Sequence, residues 1–166
     1  MGSYDYGKQE VCAWIRSKFL PGSTILDVGA GDGKWRRLLP DYTKMDAVEV
    51  FAGHLPELTQ YRKAYHADIR DYKFDWYDLV IFGDIIEHLA VGQAQAVLQY
   101  AMPRCRDMIV AVPFLYPQGT EYGNEFEIHI QDDLTAELFA ERYPDLDVLI
   151  DPGHSYCYYH KRGGSA

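Results

Sequence analysis

The sequence predicts an α/β protein: an open, doubly wound, seven-stranded and mostly parallel sheet. Three observations predict it. Short apolar runs alternate with amphipathic stretches along the chain. The runs are near-continuous in their apolar character, as strands covered on both faces require. One of them, Thr24 to Val28, empties into the glycine-rich turn Gly29-Ala30-Gly31-Asp32-Gly33, and an open parallel sheet binds ligands at such strand ends.

The elements follow in order. Glu10 to Phe19 reads as an amphipathic helix, with Val11, Trp14, Ile15 and Leu20 at helical spacing and Pro21-Gly22 as its stop. Thr24 to Val28 is the first strand. Lys34 to Leu39 is a helix closed by Pro40, and Met45 to Val50 is the second strand. His54 to Tyr61 reads as a short helix, and Ala64 to His66 as a brief third strand running into Asp68. Tyr77 to Phe82 carries the strongest strand signal, because its core is unbroken Leu79-Val80-Ile81-Phe82. Gly92 to Ala101 is helical up to Pro103, and Met108 to Val112 is a fifth strand stopped by Pro113. Tyr116 to Glu127, rich in Gly, Tyr and Glu, reads as a loop. Leu134 to Arg142 is a helix for which Asp132 or Asp133 is the candidate cap. Leu146 to Ile150 and Ser155 to Lys161 are two late strands, expected as antiparallel partners at one edge. A single domain over 1–166 is expected, with its core at about 6–160. Met1-Gly2-Ser3 and Gly163-Gly164-Ser165-Ala166 are expected to be frayed.

Composition narrows the function. The chain has 166 residues, 48% hydrophobic and 14% aromatic, enough to close a core without staples. No apolar run approaches the roughly 18 residues of a membrane helix, and the polar start MGSYDYGKQE has no signal-peptide core. Membrane partners are therefore not expected. The net charge is −9, which opposes nucleic acid as a partner. The nearest basic stretch is Lys34-Trp35-Arg36-Arg37, expected on one short helix. Three widely spaced cysteines, Cys12, Cys105 and Cys157, form neither a disulfide framework nor a Cys-type zinc site. A reducing cytoplasm is the expected location.

The chemistry gathers at the strand ends. The first loop runs G-x-G-x-G rather than the G-x-G-x-x-G of dinucleotide sites, and Asp27 and Asp32 flank it. A pyrophosphate is a poor guest beside two acids; a cationic or zwitterionic ligand is a better one. Glu49 closes the second strand, where an acid holds ribose hydroxyls. Asp68 follows the third strand, where a carboxylate can accept from an exocyclic amine. The fourth strand ends at Gly83-Asp84. Each acid alone reads more readily as an ordinary solvated strand end; their recurrence in register points to one rim.

These residues together resemble the class I S-adenosylmethionine-dependent methyltransferases of the small-molecule branch, from about Tyr6 to Tyr159. Asp27-Val28-Gly29-Ala30-Gly31-Asp32-Gly33 matches the family's first motif, and Glu49 with Val50 its ribose-binding acid. Ala67-Asp68-Ile69 matches the adenine segment, and Phe82-Gly83-Asp84-Ile85-Ile86-Glu87-His88-Leu89 the fourth-strand motif. The resemblance implies a Rossmann-like sheet with an antiparallel last strand near Tyr156 to His160. It implies S-adenosylmethionine held by Asp27, Gly29, Ala30, Gly31, Glu49, Val50, Asp68, Ile69, Gly83 and Asp84. It implies methyl transfer to a small-molecule or sugar-like acceptor, at oxygen.

Methyl transfer is a direct displacement, so the protein supplies alignment, and a base only where the acceptor is protonated. His88, past the fourth strand, and His129, in Asn124-Glu125-Phe126-Glu127-Ile128-His129, are the candidate catalytic residues. Each reads alternatively as a structural histidine. Asp84-x-x-Glu87-His88 with His129 also resembles the acid-x-x-Glu-His…His arrangement of metal-dependent small-RNA 2'-O-methyltransferases, which would hold one divalent ion. The chain departs from it in having Asp first and in lacking a basic surface. No Asp/Asn-Pro-Pro-Tyr motif is present, which weighs against adenine or glutamine N-methylation. The loop Tyr116 to Asn124 is the candidate acceptor cover. Tyr4, Tyr6 and Lys8 are placed to fold over the methionine end, with Lys8 near its carboxylate. Trp14, Trp35 and Trp76 read as packing residues, and Tyr156, Tyr158 and Tyr159 as edge-strand packing. Two other readings compete: a nicotinamide-dependent oxidoreductase, opposed by the glycine spacing and the extra acids, and a non-catalytic methyltransferase-like binding module, opposed by the intact Glu49 and Asp68.

Overall fold

The computed structural model describes residues 5–165; the expectations that fell on Met1-Gly2-Ser3, Tyr4 and Ala166 lie outside them. Seven strands form one sheet: β1 (Ile25–Val28), β2 (Met45–Glu49), β3 (Lys63–His66), β4 (Tyr77–Gly83), β5 (Cys105–Pro113), β6 (Asp147–Gly153) and β7 (Tyr156–Arg162). Their spatial order is β3-β2-β1-β4-β5-β7-β6. The first five run parallel, and β7 lies antiparallel to both β5 and β6. The fold is thus the doubly wound sheet with an antiparallel last strand. Chain direction across the sheet reverses between β1 and β4, which makes their carboxyl ends the ligand crevice of this topology.

Strand alternation divides the core into two layers. Leu26, Val80, Phe82, Met108, Val110 and Tyr159 face one side. There they meet α3 (Val91–Ala101), whose Ala94, Val97, Leu98 and Ala101 follow helical spacing, and α4 (Ala136–Arg142) through Phe139. Ile25, Leu79, Ile81, Ile109 and Tyr158 face the other side. They meet α1 (Lys8–Lys18) through Val11, Cys12 and Ile15, and α2 (Lys34–Leu38) through Trp35. Each such aliphatic side chain stabilises by roughly 1.5–3 kcal/mol on full burial.

Several expectations are corrected. α1 starts at Lys8, and Leu20 is 80% exposed because Phe19, 3% exposed, takes the core position instead. The stretch expected as a helix at His54 to Tyr61 is a 3-10 turn over Ala52–Glu57; Pro56 within it has no N–H to continue an α-helix. Neither Asp132 nor Asp133 caps α4. Thr135 does, through its hydroxyl to the Leu138 N–H, while Asp133 pairs with Arg142. Tyr156, Tyr158 and Tyr159 lie on an interior strand, since β6 pairs with β7 on its outer side, and are buried in the two core layers, Tyr156 and Tyr158 on the α1 face and Tyr159 against Phe139. Gly163 and Gly164 are not frayed: their N–H groups donate to the carbonyls of Arg106 and Met102. Cys12, Cys105 and Cys157 are free and buried. No helix among the described residues is long and apolar enough to cross a membrane.

Candidate active site

The loop leaving β1 is shaped by three left-handed residues, Gly29, Gly31 and Gly33. Gly29 is the most constrained: a Cβ there would stand 1.9 Å from Ile85 Cδ1. Its N–H and that of Ala30 turn toward β2 and donate to the Val48 carbonyl. The Gly31 N–H donates to Glu49 Oε2 and the Phe51 N–H to Oε1, each at 2.8 Å. Glu49, 5% exposed, therefore ties the first loop to the end of β2 while lying at the cavity wall.

That wall encloses about 360 Å³ between the ends of β1, β2 and β4 and the loop after β5. Gly29, Ala30, Gly31, Glu49, Val50, Gly83 and Asp84 line it, as do His88 and His129. A second cavity of about 250 Å³ adjoins it and takes in Asp68, Ile69 and Ala67. Gly29, Val50, Ile85, His88 and Phe126 line both, so the two form one trough along the strand ends. The sequence-predicted residues are brought together with one exception in kind. Asp27 lies behind the wall, fully buried, with Oδ2 accepting from the Tyr61 hydroxyl and Oδ1 unpartnered. Burial pushes its carboxyl up to about 7, against the Tyr61 hydrogen bond and the Lys8 charge.

Asp68 faces the second cavity with both oxygens held by the Arg70 guanidinium, which keeps its carboxyl below the usual range. Lys8, expected near a ligand carboxylate, is 1% exposed, with its ammonium 4.6 Å from the centre of the Trp35 ring. Burial lowers its pKa, and Asp84 and Asp27 oppose that. The cavity wall carries Lys34 instead.

The acceptor end is built by the loop after β5. His88 Nδ1 lies 3.1 Å from the Ile128 carbonyl, and His129 Nδ1 lies 2.6 Å from that of Tyr116. A carbonyl at Nδ1 selects the Nδ1–H tautomer and leaves the lone pair on Nε2. The rings meet edge to face, centroids 4.6 Å apart. Burial holds both pKa values below the ordinary histidine value. The Ile128 carbonyl, and then the charge and carbonyl of Asp84, partly offset this at His88, and the charge of His88 adds to it at His129. Behind them lies Glu87, 1% exposed, with neither carboxylate oxygen in hydrogen-bond geometry to any donor among the described residues. Burial raises its pKa well above the carboxylate range, and the charges of Asp84 and Glu127 add to this.

The fourth acid is held apart. Asp84 adopts a left-handed backbone, φ 57°, and its Oδ1 accepts from the Tyr156 hydroxyl at 2.5 Å. Of the metal set expected from the sequence, Glu87, His88 and His129 come together, one ligand atom from each lying within 4.8 Å of the others.

Sequence reading missed the residues that hold this end in place. Gln131, 3% exposed, donates through Nε2 to the carbonyls of Ile86 and Leu89, and the N–H groups of Ile130 and Gln131 donate to the Glu87 carbonyl. Gln118 and Asn124 donate to the Glu127 carboxylate. The Gln131 contacts are long-range and have no spacing signal; Asn124, which also caps the Phe126 N–H, sits in a recognisable local pattern.

No protein-family model matches the sequence, and no curated relative does. Solved structures do. A S-adenosylmethionine-dependent methyltransferase from Clostridium acetobutylicum ATCC 824 superposes with a TM-score of 0.71 at 13% identity, over 98% of this chain and 93% of that one. Magnesium protoporphyrin IX methyltransferase from Synechocystis PCC 6803, with bound SAM, gives 0.66 at 14% identity, over 99% and 86%. The N-methyltransferase NodS from Bradyrhizobium japonicum WM9 gives 0.62 at 9%, over 97% and 98%. At such identities the likeness speaks for the fold, and the chain has the fold of the class I S-adenosylmethionine-dependent methyltransferases.

Proposed function

We propose that the protein transfers a methyl group from S-adenosylmethionine to an oxygen of a small-molecule or sugar-like acceptor. The observation that carries this reading is the trough itself. One continuous groove at the switch point joins a ribose-type acid, an adenine-sized recess and a pair of neutral imidazoles. The solved methyltransferases of this fold, one of them with SAM bound, support the choice of donor.

S-adenosylmethionine, when bound, supplies an activated methyl: its S–C bond breaks as the acceptor O–C bond forms, and the sulfonium becomes a thioether. The chain's own residues do the rest. Glu49 offers its carboxylate to the ribose hydroxyls while it fixes Gly31. Asp68 and Ile69 border the adenine recess with Val50. Gly29, Ala30, Gly31, Gly83 and Asp84 shape the wall past which the methionine end runs toward the acceptor, and Asp27 supports that wall from behind. His88 and His129, neutral at pH 7, present Nε2 lone pairs to the acceptor; one of them takes the proton as the O–C bond forms. The acids Glu121, Glu125 and Glu127 in the loop after β5 favour a neutral or cationic acceptor over a phosphorylated one.

Calorimetric titration of the full chain with S-adenosylmethionine tests this. One site per chain is expected, and Glu49→Ala should weaken it by roughly tenfold or more, the scale of a lost charge-assisted hydrogen bond. A folded wild-type chain that takes up no S-adenosylmethionine would overturn the reading.

A further inference from the structure

We propose that Glu87, His88 and His129 form a two-histidine, one-carboxylate site for a divalent transition metal, and that Asp84 is no part of it. Glu87 is the buried carboxylate of the set. A carboxylate buried to 1% exposure with both oxygens lacking hydrogen-bond partners is costly by several kcal/mol unless a proton or a cation joins it. Its neighbour is not a hydrogen-bond donor but an imidazole nitrogen: His88 Nε2 stands 4.0 Å from Glu87 Oε1, beyond hydrogen-bond range, so that a shared ion would draw the two closer.

The second observation is the tautomers. Metal-binding imidazoles are commonly oriented by a carbonyl or carboxylate at the other ring nitrogen. Both histidines have this support from backbone carbonyls of one loop, Ile128 for His88 and Tyr116 for His129. The loop is itself tied to the Glu87 carbonyl through the N–H groups of Ile130 and Gln131. All three ligands are thus mounted on one braced unit, with their donor atoms within 4.8 Å of one another.

Ligand chemistry selects the ion. Two nitrogens and one carboxylate suit zinc, cobalt, manganese or iron; magnesium prefers oxygen ligands and keeps its waters. Asp84, which would add a further oxygen, lies outside this cluster: its Oδ1 accepts from the Tyr156 hydroxyl, and its Oδ2 is buried without a hydrogen-bond partner. Three protein ligands leave coordination positions open toward the cavity that His88 and His129 line. A cation held there supplies positive charge beside an acceptor oxygen and would use the lone pairs that otherwise take the proton. Metal uptake itself stands apart from the methyl-transfer reading; only its meaning for the acceptor rests on that reading.

The test uses the full chain, stripped with a chelator and titrated separately with Co²⁺, Zn²⁺ and Mg²⁺, by calorimetry and by the visible absorption of bound Co²⁺. One Co²⁺ or Zn²⁺ per chain is expected, with Mg²⁺ at least about 100-fold weaker. Glu87→Gln and His129→Asn should each weaken Co²⁺ by about 50-fold or more, and Asp84→Asn should change it by less than about threefold. Glu87→Gln removes an unpaired buried acid, so the stripped variant should melt no lower than wild type, which separates ligand loss from misfolding. Absence of Co²⁺ and Zn²⁺ uptake overturns the proposal. So do uptake indifferent to both ligand variants, Mg²⁺ bound as tightly as Co²⁺, or uptake lost in Asp84→Asn. Titration of the same stripped chain with S-adenosylmethionine keeps the two readings apart. Donor binding without metal uptake overturns this site alone, and metal uptake without donor binding overturns the methyl-transfer reading alone.

Discussion

Asp27 sets the pH response at the scale of a single residue. Its carboxyl is fully buried beneath the first glycine loop and titrates at about 7 in the folded chain, against about 3.9 when unfolded. The native state therefore holds a proton that the unfolded chain releases between those values. By linkage this contribution to stability falls as pH rises through the window and is level above it, at up to roughly 1.4 kcal/mol per pH unit. Asparagine has the same shape, keeps an oxygen for the Tyr61 hydroxyl, and carries no such linkage. Urea unfolding of wild type and Asp27→Asn should show the variant gaining on wild type from about pH 5 to about pH 8. A constant difference across that range would mean that Asp27 titrates normally.

Elements brace one another at two points, and each gives a measurable coupling. The turn after β1 and the turn after β4 meet where Gly29 faces Ile85. Gly29 has φ +69°, and an added Cβ would lie 1.9 Å from Ile85 Cδ1 and 2.8 Å from its Cγ1. Gly29→Ala should cost about 2–4 kcal/mol in urea unfolding, from left-handed strain and the clash together. With Ile85→Ala in the same chain the clash disappears and the strain stays, so the double variant should be less destabilised than the sum of the singles. Additive costs would show that the turns do not touch as described. The second brace is Gln131, which joins the loop after β5 to the turn that carries Glu87 and His88. Gln131→Leu fits the volume but leaves the Ile86 and Leu89 carbonyls without their donor. Loss of about 2–4 kcal/mol is expected, whereas a neutral substitution would mean that water replaces the amide.

At the scale of the whole molecule, the sheet and the donor end of the trough were legible because they are written in local signals. Strand-length apolar runs, the Gly29-Ala30-Gly31 turn and acids at strand ends announce themselves in neighbouring residues. The acceptor end was legible only in part. His88 and His129 stood out as residue types, but what orients them, the carbonyls of Ile128 and Tyr116 and the amide of Gln131, comes from loop contacts that no spacing records. The hydrogen bond from Tyr156 on β7 to Asp84, just past β4, joins residues that are far apart in the chain. Charge is legible in total but not in its arrangement, and arrangement decides what a polyanion would meet. The chain carries a net −9, and its densest basic stretch, on α2, is already engaged. Arg36 donates to the Gln60, Leu39 and Pro40 carbonyls, Arg37 pairs with Asp32, and Lys34 pairs with Asp5. Glu121, Glu125 and Glu127 stand in the loop over the acceptor end. A polyanion would meet repulsion at the trough and find no free cationic stripe on α2. Anisotropy of a labelled RNA, single-stranded or duplex, should stay flat in about 0.15 M salt at protein concentrations where ordinary non-specific binders, with Kd of about 10⁻⁴ to 10⁻⁶ M, respond. Binding that weakens steeply with added salt would place a phosphate-reading surface on this chain and overturn the small, uncharged or cationic acceptor.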